Sequence, residues 1–126
     1  MNLVRARLAI GEHPIEAYVA RTQEQRAQGL MHRAEMGENE GMLFVCDECA
    51  PQSFWMKDTP LALSIAFLEE DGTIVQLDDM EPNTLDSHRC EHPVRYVLEM
   101  PMGWFSQRGV GCGEKVTGPV FVGASA

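Results

Sequence analysis

With 126 residues and 44% hydrophobic side chains, the chain has the length and apolar content of one domain around one continuous core, and a single domain over residues 1–126 is expected. Nineteen acidic against ten basic residues give a formal net charge of −9. A mean field of that sign repels phosphate backbones and anionic headgroups, so neither nucleic acid nor a membrane is an expected partner.

No run of about 18 apolar residues is present to span a bilayer, and the first residues do not carry a secretory pattern. A soluble, cytoplasmic setting is therefore expected, in which the four cysteines are reduced thiols.

Residues 3–10 alternate in part, Gly11-Glu12-His13-Pro14 supplies turn chemistry, and residues 15–20 return to apolar character, which predicts a first hairpin. Thr22-Gln23-Glu24-Gln25 matches a capping box: the threonine oxygen accepts from the amide three residues on, and the glutamine reaches back. With Gly29 as a stop, a short helix is predicted over 23–28. Met42-Leu43-Phe44-Val45, bounded by Gly41 and by Asp47-Glu48, predicts a buried strand over 42–46, and residues 53–56 predict another. Residues 63–68 and 73–77 flank Glu69-Glu70-Asp71-Gly72, and an Asp-Gly pair between apolar segments predicts a hairpin.

The polar stretch 78–93, with Pro82, Asn83, Asp86 and Pro93, predicts a long loop. Strand character resumes over 94–100, Pro101 suits the first turn of a helix over 101–108 that Gly109 ends, and a last strand is predicted near 116–122. Many short strands with two short helices leave no room for repeated βαβ units. The predicted fold is α+β and β-rich, a compact antiparallel sandwich or partly closed barrel.

The run Ser53-Phe54-Trp55-Met56-Lys57-Asp58-Thr59 joins aromatic rings, a thioether, a cation, a carboxylate and hydroxyls. That mixture suits the rim or floor of a pocket. Trp55 offers an aromatic wall, Met56 an adaptable apolar surface, Lys57 an anion or π contact, and Asp58 with Thr59 a polar orienting pair. The same residues also fit ordinary core filling and a turn before Pro60. Arg33 follows the helix stop and can reach a carboxylate or an anionic ligand. Glu99 interrupts an apolar strand on the face of Val97, which places it at an edge or in a pocket with a partner. The candidate ligand-binding set is Trp55, Met56, Lys57, Asp58, Thr59, Arg33 and Glu99.

Other readings use other residues. Cys46-Asp47-Glu48-Cys49 is a C-x-x-C, and His88-Arg89-Cys90-Glu91-His92 adds donors. Cys46, Cys49 and Cys90 with His88 or His92 have the donor types of a zinc or thiol site, although the second half lacks knuckle spacing. The methionines suit packing better than a soft metal, which needs several convergent sulfurs, so no metal ligand is assigned. A hydrolase-type enzyme using Lys57, Asp58 or Glu99 as acid or base stays open, as does a protein-interaction module with Met-rich runs on its surface. No phosphate loop, dinucleotide fingerprint or G-x-S-x-G elbow is present, and no cofactor is expected.

GLMHR at 29–33, GMLF at 41–44, FWMKDT at 54–59, LSIAFL at 63–68 with its acidic-glycine turn, and YVLEMPMGW at 96–104 resemble the bacterial and archaeal family called domain of unknown function 192. The resemblance runs in the same order over about 15–116. It implies a compact, β-rich α+β fold and carries no established activity. It also implies Asn where this chain has Asp58 and Asp where it has Ser64, as if a carboxylate had moved between two positions of one site. The cysteines lie outside the resembled pattern.

Overall fold

A computed structural model describes residues 3–121. Among these residues the fold is β-rich, with six strands in one open mixed sheet and two short helices. β1 (Val4–Ile10) and β2 (His13–Ala20) form the predicted hairpin, with Leu8 opposite Ile15. α1 (Gln23–Gln28) follows, and the chain then enters β3 (Glu40–Phe54) parallel to β2. The parallel pairing follows from α1 and the segment after it, which carry the chain back to the starting end of β2 as a crossover must. β4 (Leu63–Leu68) and β5 (Ile74–Met80) make the Asp-Gly hairpin, and β6 (His88–Pro101) lies antiparallel between β3 and β4. The resulting order is β1-β2-β3-β6-β4-β5, and α2 (Trp104–Gln107) follows the last strand.

Three predicted boundaries change. The two strands expected over 42–46 and 53–56 are one strand, β3, interrupted by register shifts between Val45 and Ala50 and between Ala50 and Gln52. The loop expected over 78–93 shrinks to 81–87, because residues 88–94 pair with the far half of β3. Both halves of that ladder are polar: Asp47, Glu48 and Cys49 on one strand and Arg89, Glu91 and His92 on the other are exposed. Backbone pairing holds them where hydrophobic patterning gives no strand signal. The helix expected over 101–108 shortens because Pro101 stays in β6 and Gly103, at φ 86, is left-handed.

The last expected strand is reduced to isolated bridges, and Val122 lies outside the described residues. Lys115 bridges to Thr73 at the β4–β5 turn, and Thr117 bridges to Ala9 of β1. Residues 111–117 thus strap the two ends of the open sheet together, with Ala9 N donating to Thr117 O at 3.0 Å and Val116 N to Gly72 O at 2.9 Å. Gly72 has no alternative there. Its φ is 93, and a Cβ would stand 2.1 Å from Val116 O.

Alternation along the strands sorts the buried side chains into two layers. One, with Leu43, Leu98, Trp104, Val116 and Phe121, is covered by α2 and the strap. The other, with Met42, Phe44, Ile65, Phe67, Val97 and Met56, faces α1. No residue of α1 is fully buried, so the helix stands off the sheet and leaves space beneath it.

Candidate functional site

The space under α1 is bounded by two backbone turns that the sequence motifs create. The capping box forms as predicted: Gln25 N donates to Thr22 Oγ1 at 3.0 Å and Thr22 N to Gln25 Oε1 at 3.1 Å. Gly29, at φ 51, ends the helix with its amide on Gln25 O at 2.9 Å. The chain turns through Leu30-Met31-His32-Arg33, where Met31 N donates to Gln28 O at 3.0 Å.

The facing turn is 56–59, closed by Thr59 N on Met56 O at 3.2 Å and by Thr59 Oγ1 on Lys57 O at 3.0 Å. The two turns meet where His32 N donates to Asp58 O at 2.7 Å, and both residues are left-handed, at φ 67 and φ 54. Asp and Asn are the non-glycine residues that enter this conformation most readily. The Asn that the resemblance implies at position 58 meets the same backbone demand, so that exchange needs no charge to explain it.

Between α1, the 53–59 segment and the sheet lies a cavity of about 320 Å³. Gln28, Leu30 and Met31 form one wall, Phe44, Phe54 and Met56 another, and Trp55, 50% exposed, stands at the rim. Glu99 contributes to the lining from the middle of the sheet. It sits on β6 between Met42 of β3 and Ile65 of β4 and is only 4% exposed. Burial pushes its carboxyl up to about 8, and no cation or hydrogen-bond donor among the described residues offsets that burial. Glu99 is therefore neither at an edge nor supplied with a protein partner.

Of the seven candidate residues, Trp55, Met56, Thr59 and Glu99 line this cavity. Lys57 and Asp58 are exposed and outside its lining, although Lys57 Nζ lies 5.5 Å from the Trp55 ring centroid. Arg33 lines a separate cavity of about 150 Å³ with Leu3, Tyr18 and Met42, across the shared wall of residues 28–31. There its guanidinium lies 4.5 Å from the Tyr18 ring centroid, and Nη2 donates to Tyr18 Oη at 3.1 Å. Sequence reasoning missed Gln23, Arg26 and Ala27 in the lining. Their signal was weak, a three- and four-residue spacing on a helix too short and polar to show a face.

The other constellations do not assemble. No group of three or more His, Cys, Asp or Glu side chains converges for a metal among the described residues. The register explains it: Cys90 is buried opposite Gln52, Cys49 points to solvent in the irregular part of β3, and exposed His92 turns to Glu69, 3.5 Å away. Lys57 and Asp58 do not share the cavity with Glu99. Ser64 alternates away from Leu63 and Ile65 to the opposite layer, where its Oγ donates to Asp79 at 2.7 Å and accepts from Gly103 N at 3.0 Å. Positions 58 and 64 thus do not exchange a carboxylate within one site.

No curated protein matches the chain. Solved structures with its fold include two of known source. One is a protein from Sinorhizobium meliloti 1021, provisionally described as a transcription regulator. It is 33% identical, with a TM-score of 0.89 over 95% of this chain and 98% of that one. The other is a protein of unknown function from Novosphingobium aromaticivorans DSM 12444, 29% identical, with a TM-score of 0.83 over 91% of this chain and 84% of that one. The profile of the family DUF192, described as an uncharacterized ACR, matches residues 6–118, slightly beyond the span of the sequence motifs. On that match, which takes in both turns and every residue lining the cavity, the chain belongs to the DUF192 family.

Proposed function

We propose that this protein is a small-molecule-binding domain whose site is the cavity between α1 and the sheet. The observation that carries the reading is Glu99, a nearly fully buried carboxyl group without a partner among the described residues, opening into a cavity with a half-exposed tryptophan at its rim. An unpaired ionisable group in an apolar layer is unfavourable for folding, and groups of this kind collect where a ligand is met. A volume of about 320 Å³ is at the lower end of the range for small-molecule sites, roughly 300–1,000 Å³.

The provisional description of the Sinorhizobium protein as a transcription regulator, carried over to this chain, fits ligand sensing better than direct DNA contact, since a net charge of −9 opposes phosphate binding. Two-dimensional NMR titration with a library of small metabolites tests the reading, and a binder is expected to shift the Trp55 indole together with Leu30 and Thr59. Trp55→Ala removes an exposed side chain, so stability should move by less than about 1 kcal/mol while affinity falls about tenfold. Ligand shifts confined to the α2 side of the sheet would end the proposal.

A further inference from the structure

Resting on that binding reading, we infer that the cavity selects an organic cation, a protonated amine on an apolar body, whose N–H groups reach the Glu99 carboxyl while the body lies against Phe44, Phe54 and Trp55. The ionisable side chains of the lining are Glu99, Arg26 and Cys46. Arg26, from α1, is already engaged: Nη2 bonds Asp47 at 3.0 Å and Nη1 bonds Val45 O at 3.0 Å. An anionic ligand would find no free cation and would face a carboxyl group.

Cys46, from β3, is a thiol that burial holds protonated. Thr59, from the 56–59 turn, has its hydroxyl proton on Lys57 O, and the strand neighbours Met42 and Ile65 are apolar. Among the described residues, Glu99 has no hydrogen-bonded or ion-paired partner.

The aromatic side of the site fits the same ligand. Phe44 and Phe54 meet edge to face with centroids 4.9 Å apart, and Trp55 extends that surface to the rim. An ammonium group already approaches the indole, since Lys57 Nζ lies within cation–π range of it. The net charge of −9 adds a mean field that concentrates cations near the surface.

Binding is coupled to a proton. Before the ligand arrives Glu99 is protonated at neutral pH; beside an ammonium group it ionises, and its proton passes to the buffer while the amine keeps its own. Affinity should therefore rise with pH up to the range in which the free carboxyl ionises.

Isothermal titration calorimetry of the full chain with 2-phenylethylammonium, 2-phenylethanol and 3-phenylpropanoate tests this. The ammonium compound should bind best, by about tenfold over the alcohol at a pH above that of Glu99 ionisation, and weaken toward tenfold per pH unit below about 8. Its binding enthalpy at neutral pH should vary with the ionisation enthalpy of the buffer. Glu99→Gln should abolish the pH dependence and the preference for the amine, with retained binding of the alcohol showing that the variant folds. Trp55→Ala should weaken the amine without altering proton release.

If the alcohol or the carboxylate binds at the Trp55 cavity as tightly as the amine, the cation inference is overturned and the binding reading stands. If none of the three binds, the cation inference is likewise overturned, and the metabolite titration judges the broader reading independently.

Discussion

Glu99 is flanked in sequence by Leu98 and Met100 and in space by Met42 and Ile65, so its carboxyl group is held in an apolar layer by the strand that carries it. The consequence for stability has a definite sign. Below about 4.5 the group is protonated in folded and unfolded chains alike; from there to about 8 only the unfolded chain ionises, so stability falls as pH rises; above about 8 the loss levels off. The full span corresponds to a loss on the order of 5 kcal/mol. Glu99→Gln, uncharged throughout, is expected to match the natural chain near pH 4 and to exceed its stability near pH 9 by up to that amount. Urea unfolding at the two pH values measures it, and parallel pH profiles for the two chains would remove Glu99 as the cause. Sequence alternation identified this residue and its face, but the absence of a partner was invisible, because it depends on which side chains of β3, β4 and α1 arrive opposite. Asp58 shows the converse: its charge drew attention in the sequence, whereas the structure uses its tolerance for a left-handed backbone.

Elements fixed by local chemistry were legible before any tertiary information. The Thr22 capping box and Gly29 stop delimit α1 as expected, and Asp71-Gly72 closes the β4–β5 hairpin with Asp71 Oδ1 accepting from Thr73 N at 3.0 Å. The far halves of β3 and β6 were not legible, since their strand character comes from pairing with each other and their exposed side chains read as loop. The strap was missed for a related reason: two isolated bridges leave no periodicity in the sequence. Gly72 joins the legible and the hidden features, serving the hairpin turn and also letting Val116 approach. Gly72→Ala should therefore destabilise by more than the roughly 1 kcal/mol of a positive-φ glycine alone, about 3 kcal/mol in total, since Val116 and its backbone must shift. Urea unfolding gives the size, and amide exchange should show the loss of protection concentrated at Ala9, Ile74 and Val116, whose amides bond across the strap. Uniform loss of protection would mean that the strap does not act as a unit.

At the scale of the whole molecule the sheet separates two tasks. The layer under α2 and the strap is packed with Trp104, Phe105, Leu98 and Phe121 and holds the ends of the sheet together, while the layer under α1 encloses the cavity. Phe121 lies edge to face with Tyr96 at 5.0 Å between centroids, and Tyr96 alternates with Val97 and so points away from the cavity layer. Phe121→Ala should cost about 3 kcal/mol through lost burial and the void left behind. Because stiff strands and a filled layer of side chains lie between the two regions, the Trp55 indole resonance and the affinity for any cavity ligand should stay within about twofold of the natural chain. Unfolding midpoints and NMR titration on the same sample separate the two effects. A change in both together would show that the sheet transmits strain from the layer around Phe121 to the cavity, and would make that layer part of how the site is shaped.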